Sequence, residues 1–283
     1  MNYMKILEWI PMDKIEWCYL SYNKNPIAIE MLKQKPDEIN WSYFSENPNK
    51  DAIEMLKENP SKIDWEYFST NLNPNVIQIY KENLSEIDWY QLSSNPNAIE
   101  LLKENPDKID WYKLSANPNA LEMLNKNPDK IDWYMLSTNP NPIAIEMLKE
   151  NPSKIDWCYL SYNSNSTAIE MLNKNPDKIN WYNLSCNTNP NAIKLLKENP
   201  NKIDWYYLSA NPNAIEILKE NPDKINWNQL CLNTSIFNYD YEKIKNKRKD
   251  LNEAIIINAL HPSRMLRLMA EYGEDEIYEC YFD

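Results

Sequence analysis

The sequence contains very few of the residues from which enzyme sites are usually built. Its 283 residues include one glycine and one histidine. Loops that cradle phosphate need several glycines, so the common nucleotide-binding motifs are excluded. His261 directly precedes Pro262, which suits the start of a helix better than general-base catalysis. We therefore expect a protein that is not an enzyme and that binds no cofactor.

Cysteines and apolar runs are also scarce, and both bear on the compartment. No segment approaches the roughly 18 apolar residues that span a bilayer. The opening MNYMKILEWIPMDK has neither the basic start nor the long apolar run of a secretory leader. The five cysteines have neither paired spacing nor the spacing of zinc ligands: Cys18, Cys158, Cys186, Cys231 and Cys280. We expect free thiols in a reducing compartment, no metal site and no membrane insertion.

Positive charge is in deficit. The chain has 30 basic and 42 acidic side chains, for a formal net charge of −12. Such a surface repels phosphate backbones, so we expect no nucleic-acid partner. The hydrophobic content of 43%, with 11 Trp and 19 Tyr, excludes a disordered polymer.

Most of the sequence is one motif repeated about ten times, as in NPDKIDWYKLSANPNALEMLNKNPDK. Its phase is set by tryptophans that recur every 22 or 24 residues: Trp17, Trp41, Trp65, Trp89, Trp111, Trp133, Trp157, Trp181, Trp205 and Trp227. The distance from the Ala of NAIE to the next Trp is constant, and all length variation lies between Trp and that Ala. One connection is therefore fixed in length and the other accepts insertions, as in stacked repeats.

Each copy is predicted to hold two short helices. In NPNAIELLKENP, Asn95 suits an N-cap and Pro96 the first helical position, so helix B follows and ends before Pro106. The segment DKIDWYKLSAN could be a strand or a helix. Trp111 and Leu114 are three residues apart, which puts them on one face only in a helix. We therefore predict a turn at PDKI and a short helix A, capped by the Asp, Asn or Glu that precedes each Trp.

Two short helices per copy predict an all-α fold, an α-solenoid of about ten repeats without β-sheet. Neither helix persists alone at this length, so Trp, Leu and Ile of adjacent copies are expected to form the core. About ten packed layers predict a rod or superhelix on the order of 90 Å long. We assign residues 1–16 to a degenerate capping repeat, 17–232 to the solenoid and 233–283 to a helical C-terminal cap. The cap ends with a helix over about Pro262 to Tyr272 and with Gly273 as its terminator.

The copies NPNAIELL and NPDKIDW, the closing SIFNYDYEKIK and the late HPSRMLRLMAEYG resemble the short Asn-Pro/Trp repeat proteins of giant DNA viruses of amoebae. The resemblance covers essentially the whole chain. It implies a viral protein, located in the cytoplasm of an infected host cell or in the virion. It implies no activity and no functional residues.

Candidate functional residues are sought where the copies differ. Positions one, two and five after each Trp vary and are neighbours on helix A, and we call them the variable stripe. The simplest interpretation is that these side chains half-pack against the next copy. The functional interpretation is a Tyr-rich surface for protein recognition. The candidates are Tyr19, Tyr22, Tyr43, Tyr67, Tyr90, Tyr112, Lys113, Ala116, Tyr134, Tyr159, Tyr162, Tyr182, Tyr206 and Tyr207.

These observations favour a protein-binding scaffold or adaptor that acts on a host or viral protein. The alternative is a structural virion component that binds its own kind. The basic run KIKNKRK, Lys243 to Lys249, is either a solvated helix face or a targeting or anion-binding segment.

Overall fold

The computed structural model describes residues 4–273, without the side chains at positions 4, 250, 252 and 254. The chain forms two compact units. One is Ile6–Phe237, and the other combines Met1–Lys5 with Asn238–Asp283. Helices account for 70% of the chain, so the all-α repeat architecture is confirmed.

Helix A occurs in all ten copies, each time behind a tight turn that is 3₁₀ in most copies. The residue before Trp caps it in nine copies, where its side chain accepts the backbone N–H three residues on at 2.8–3.5 Å. Glu16 makes no such bond. The ten A helices are Trp17–Leu20, Trp41–Glu46, Trp65–Phe68, Trp89–Leu92, Trp111–Ser115, Trp133–Thr138, Trp157–Tyr162, Trp181–Cys186, Trp205–Ala210 and Trp227–Leu230.

Helix B follows in nine copies and begins at an Asn cap or at a short 3₁₀ turn after it. Asn95, for example, accepts the backbone N–H of Asn97 at 3.0 Å, as the sequence predicted. The nine B helices are Pro26–Lys33, Lys50–Glu58, Ile77–Glu82, Ile99–Glu104, Leu121–Lys126, Pro142–Glu150, Ser166–Lys174, Pro190–Glu198 and Ile215–Glu220.

The core lies between the two helix layers. In the fifth copy it consists of Leu114 from helix A and of Ala120 and Leu124 from the helix B segment, all 0% exposed. The expectation that the tryptophans form the buried core is wrong. All ten are only half-buried, because the first residue of helix A lies at the margin of the interface between copies. Lysines cover several of them, as Lys130 Nζ does 4.4 Å from the ring centre of Trp111.

Buried polar side chains join each copy to the one before it. The Asn six residues after each Trp is at most 2% exposed. Asn139 is typical, since its Nδ2 donates to the carbonyls of Ser115 and Asn117 at 3.0 Å each. The Ser four residues after Trp accepts the backbone N–H of the next helix A cap, as Ser115 Oγ does from Asp132 at 2.9 Å. Within residues 4–273, no buried side-chain nitrogen or oxygen lacks a hydrogen-bond partner, so these contacts between copies need no water.

The first copy makes these same bonds to the last one. Asn23 Nδ2 donates to the carbonyls of Cys231 and Asn233 at 2.7 and 3.0 Å. The N–H of Glu16 meets Cys231 Sγ at 3.3 Å, where other copies use a serine oxygen. The ten copies of Ile6–Phe237 therefore form a closed ring, each turning the chain by one tenth of a circle. The predicted open rod is wrong, because the angle between successive copies brings the tenth copy onto the first.

The tenth copy is built from both ends of the array. Where its helix B would stand, the chain makes a 3₁₀ turn, Thr234–Ile236. The N–H of Leu7 donates to the carbonyl of Ile236 at 2.8 Å. Next to this contact, β1 (Met4–Ile6) pairs with β2 (Phe237–Tyr239) in a two-stranded sheet. The expectation of no β-sheet is therefore wrong.

Residues 233–237, assigned by sequence to a C-terminal cap, and residues 6–16, assigned to an N-terminal cap, are parts of the ring. The last copy has no free apolar face to cover, since the first copy occupies it. The remaining C-terminal segment holds a helix at Tyr241–Ala259 and a last helix at Pro262–Tyr272. His261 caps the latter, and Gly273 ends it with a φ of 98°. The basic run, Lys243 to Lys249, lies on the helix Tyr241–Ala259 with exposed side chains.

Candidate functional site on the inner wall of the ring

The variable stripe faces the centre of the ring. Glu46 belongs to the second copy and Tyr162 to the seventh. The two are five of ten steps apart around the ring, so they lie on opposite sides. After burial and Cys186, the charge of Glu46 raises the pKa of the Tyr162 phenol. Successive A helices contact one another more closely than successive B helices do, as helices on the shorter inner circumference must. The A helices therefore form the inner layer of the ring and the B helices the outer one.

Two side chains from position five meet on this wall. Tyr22 Oη donates to Glu46 Oε1 at 2.7 Å. Burial, followed by the charge of Glu46 and the hydrogen bond to it, raises the pKa of Tyr22, and Tyr162 adds to the effect. Beside Tyr162, burial raises the pKa of the Cys186 thiol to about 12, which keeps it protonated and unreactive at neutral pH.

A row of tyrosines from position two continues this surface over the first three copies. The ring centres of Tyr19 and Tyr43 are 6.1 Å apart, and those of Tyr43 and Tyr67 are also 6.1 Å apart. Tyr22 meets Tyr43 edge to face at 6.3 Å. Tilted and edge-to-face pairs at these distances are favourable and fix the rings in place.

In other copies of the ring, position one of a copy contacts position two of the next copy. Tyr182 Oη donates to Tyr207 Oη, and Gln229 Nε2 donates to Tyr206 Oη at 2.9 Å. Lys113 Nζ lies 4.8 Å from the ring centre of Tyr90. The hydrogen bond that Tyr207 shares with the Tyr182 hydroxyl, more than burial, raises the pKa of Tyr207 to about 12.

The two interpretations of the variable stripe are thus not exclusive. Position-two side chains such as Tyr43 and Lys113 pack against a neighbouring copy and are half-buried. The other candidates leave an apolar or aromatic surface open: Tyr90 is 45% exposed, Tyr112 39%, Tyr134 59%, Tyr159 37%, Tyr162 53%, Tyr182 49% and Tyr206 46%. Ala116 is half-buried at position five of the fifth copy. The structure brings all the candidates onto one wall.

Glu46 was not among the candidate residues, although the sequence offered a signal for it. Position five reads Tyr, Glu, Thr, Ser, Ala, Thr, Tyr, Cys, Ala and Leu along the ten copies, and Glu46 is its only carboxylate. Without ring closure, nothing in the sequence placed it opposite Tyr162.

The bore is wide enough for a polypeptide segment and too narrow for a folded domain. Ten helices about 9 Å apart trace a circle about 90 Å around, or about 29 Å across between opposite axes. Helices with average side chains have a radius of about 5–6 Å, which leaves about 18 Å, and the long Tyr and Glu side chains of position five narrow the bore further. A 100-residue domain has a radius of gyration of about 13 Å and cannot enter it.

No residues in the described part of the chain suggest a metal or membrane function. Between positions 4 and 273, no group of three His, Cys, Asp or Glu side chains could hold a metal ion. Over the same range no helix is both long and apolar enough to span a bilayer. Cys18, Cys158, Cys186 and Cys231 are free thiols, and Cys280 lies outside the described residues. No protein-family model, curated protein or solved structure matches the chain.

Proposed function

We propose that the ring is a non-enzymatic scaffold that binds a segment of a protein partner against the variable stripe. The observation that carries this proposal is the position of the variable residues. The side chains that differ between copies point into the bore, while the buried Ser and Asn that join the copies are nearly constant. Tyrosines provide large contact area at a small cost in conformational entropy, which suits recognition of a peptide.

The size of the bore limits the form of the partner. A single helix is about 10–12 Å wide with its side chains, which is too wide once the position-five side chains project into the bore, whereas an extended segment is narrower and fits. We therefore propose that the partner offers a terminus or a flexible segment. With the resemblance to giant-virus repeat proteins, we propose a host or viral protein as that partner, in the infected cell.

A variant that fills the bore tests this function. Ala116→Trp adds an indole at position five of the fifth copy, and Asn173→Trp adds the same group on the exposed outer helix Ser166–Lys174. Partners are captured from infected-cell lysate by each tagged protein and compared by quantitative mass spectrometry. We expect Ala116→Trp to lose the partners that the wild type and Asn173→Trp retain. Equal capture by all three proteins, with unchanged melting temperatures, would contradict binding in the bore.

A second candidate, self-association as a structural component of the virion, is favoured by the C-terminal helices. They expose apolar side chains, with Leu251 58%, Ile257 66% and Leu266 68% accessible. Sedimentation of the full chain and of Ile257→Lys tests this candidate. A wild-type dimer or larger assembly that the substitution dissociates would support it, and a monomer at all concentrations would contradict it.

A further inference from the structure

The bore holds a carboxylate, Glu46, that forms no ion pair with a described cation. It accepts a hydrogen bond from the Tyr22 phenol at 2.7 Å. Within residues 4–273, no Lys, Arg or His forms an ion pair with it. Glu46 is half-buried, and removing a carboxylate from water is costly unless an opposite charge compensates it. A carboxylate has room for several hydrogen bonds, so the bond from Tyr22 leaves acceptor sites unused.

The tyrosine rings of the variable stripe already accept cations from the chain itself. Lys113 Nζ lies 4.8 Å from the ring centre of Tyr90, and Lys24 Nζ lies 5.7 Å from that of Tyr22. Both distances are within the range of cation–π attraction. The same aromatic wall continues through Tyr43 towards Tyr67, next to Glu46 in the second copy.

The charges along the stripe favour a cation as well. Among its thirty positions the stripe has one cation, Lys113, and two anions, Glu46 and Glu66. Lys113 belongs to the fifth copy and is engaged with Tyr90. Around Glu46, the neighbouring stripe positions of the first, second and third copies are tyrosines, a cysteine, a serine, a threonine and Glu66. An entering ammonium or guanidinium group therefore meets aromatic faces and carboxylates, and no positive charge of the stripe itself.

We propose that the segment bound in the bore is basic, and that one of its Lys or Arg side chains pairs with Glu46 beside the rings of Tyr22 and Tyr43. This inference rests on the proposed function and identifies the chemistry of its partner. The ion pair with Glu46 supplies affinity, because the carboxylate is already held in position by Tyr22. The aromatic rings add attraction for the cation and contact area for its aliphatic stem.

Calorimetric titration with a defined peptide tests the inference on the full chain. The probe is an acetylated, amidated peptide of four Gly-Ser-Lys units, and its matched counterpart carries acetyl-lysine at the same positions. Titrations run in about 150 mM salt, where long-range attraction to the acidic surface is screened. We expect the lysine peptide to bind at least about tenfold more tightly than the acetyl-lysine peptide, since tenfold corresponds to about 1.4 kcal/mol, less than a typical charged hydrogen bond.

Two charge-matched variants separate the bore from the rest of the surface. Glu46→Gln keeps an acceptor for Tyr22, and Glu216→Gln removes the same charge from an exposed position on the outer helix Ile215–Glu220. Glu46→Gln should weaken binding of the lysine peptide about tenfold and leave the acetyl-lysine peptide unchanged, and Glu216→Gln should change neither. Equal effects of the two substitutions would overturn the inference.

The bore-filling variant distinguishes this inference from the proposed function. If both peptides bind equally well and Ala116→Trp abolishes both, the bore binds segments without regard to charge. The inference then fails and the proposed function stands. If neither peptide binds, or if Ala116→Trp changes nothing, both are overturned.

Discussion

Ring closure can be tested by removing the buried Asn amide that joins the first copy to the last and, for comparison, one that joins two copies in the middle of the chain. Asn23 and Asn139 are both 0% exposed. Each donates to two carbonyls of the preceding copy, and each accepts one backbone N–H at 3.0 Å, from Asn25 and Asn141 respectively. The two side chains differ in that Asn23 reaches the end of the chain and Asn139 reaches its sequence neighbour.

The expected loss of stability follows from the groups left without a partner. Asn→Ala leaves one buried carbonyl and one N–H without a partner, at about 1–3 kcal/mol for each group, and the second carbonyl, of Asn117 or Asn233, loses one of its two hydrogen bonds. Because water enters part of the space, we expect about 3–6 kcal/mol for Asn139→Ala. A closed ring predicts the same loss for Asn23→Ala, since both copies have two neighbours. In an open array the terminal copy would fray, and Asn23→Ala would cost less than about 1 kcal/mol.

Urea unfolding followed by circular dichroism measures both variants. Asn119→Ala is the matched control, because Asn119 is exposed and its Nδ2 makes one bond, to the carbonyl of Pro96 at 2.9 Å. We expect this control to lose at most about 1 kcal/mol. A large loss at Asn139 combined with a negligible loss at Asn23 would refute ring closure.

Three other predictions concern the core, the C-terminal segment and the phenols. Leu114→Ala should lower the free energy of unfolding by about 2–5 kcal/mol. Lys130→Ala, which uncovers Trp111, should lower it by only about 0.5–1 kcal/mol, the range of an exposed cation–π pair. Thermal unfolding compares the two variants, and equal losses would contradict the assignment of the core. A chain that ends at Tyr239 should unfold cooperatively near the wild-type temperature, since all ten copies lie within Ile6–Phe237; its aggregation would show that the ring needs residues 240–283. The raised pKa of Tyr207, about 12 in the folded chain against about 10 unfolded, means that the folded state holds this proton more tightly. Its contribution to stability is therefore complete below pH 10 and is lost as the pH rises through 12, so Tyr207→Phe should unfold less steeply over that range, as ellipticity at 222 nm measured against pH would show.

Local structure could be read from the sequence because each signal acts within a few residues. The caps before nine of the ten repeat tryptophans, the helix starts at Asn-Pro and the stop at Gly273 depend on neighbours along the chain, and the structure has them where they were predicted. The interval of variable length, between Trp and Ala, coincides with the start of helix B, which is longer in five of the six copies with two extra residues.

Closure could not be read from the sequence, because it depends on the angle between copies. That angle is a sum of small packing differences, and a repeat of the same length can give a rod, a superhelix or a ring. The half-exposed position of the tryptophans was missed for a related reason. Periodicity placed Trp111 and Leu114 on one face, but only the packed copies distinguish the margin of that face from its centre.

The direction of the variable stripe followed from closure as well. On an open rod, variable tyrosines suggest a broad surface that any domain could approach. In the ring the same residues line a bore. The sequence identified the variable positions but did not single out Glu46, because only ring closure places Glu46 opposite Tyr162.

The closed geometry also fixes how many copies the protein can have. An open array can gain or lose a unit by duplication or deletion in the gene, since only its length changes. Here ten equal steps already complete the circle, and the composite tenth copy joins the two ends through Leu7 and Ile236. An eleventh unit would force every interface to a smaller angle or break the join. Substitutions in the bore can therefore accumulate in evolution while the copy number stays constant, as the number of blades does in a propeller.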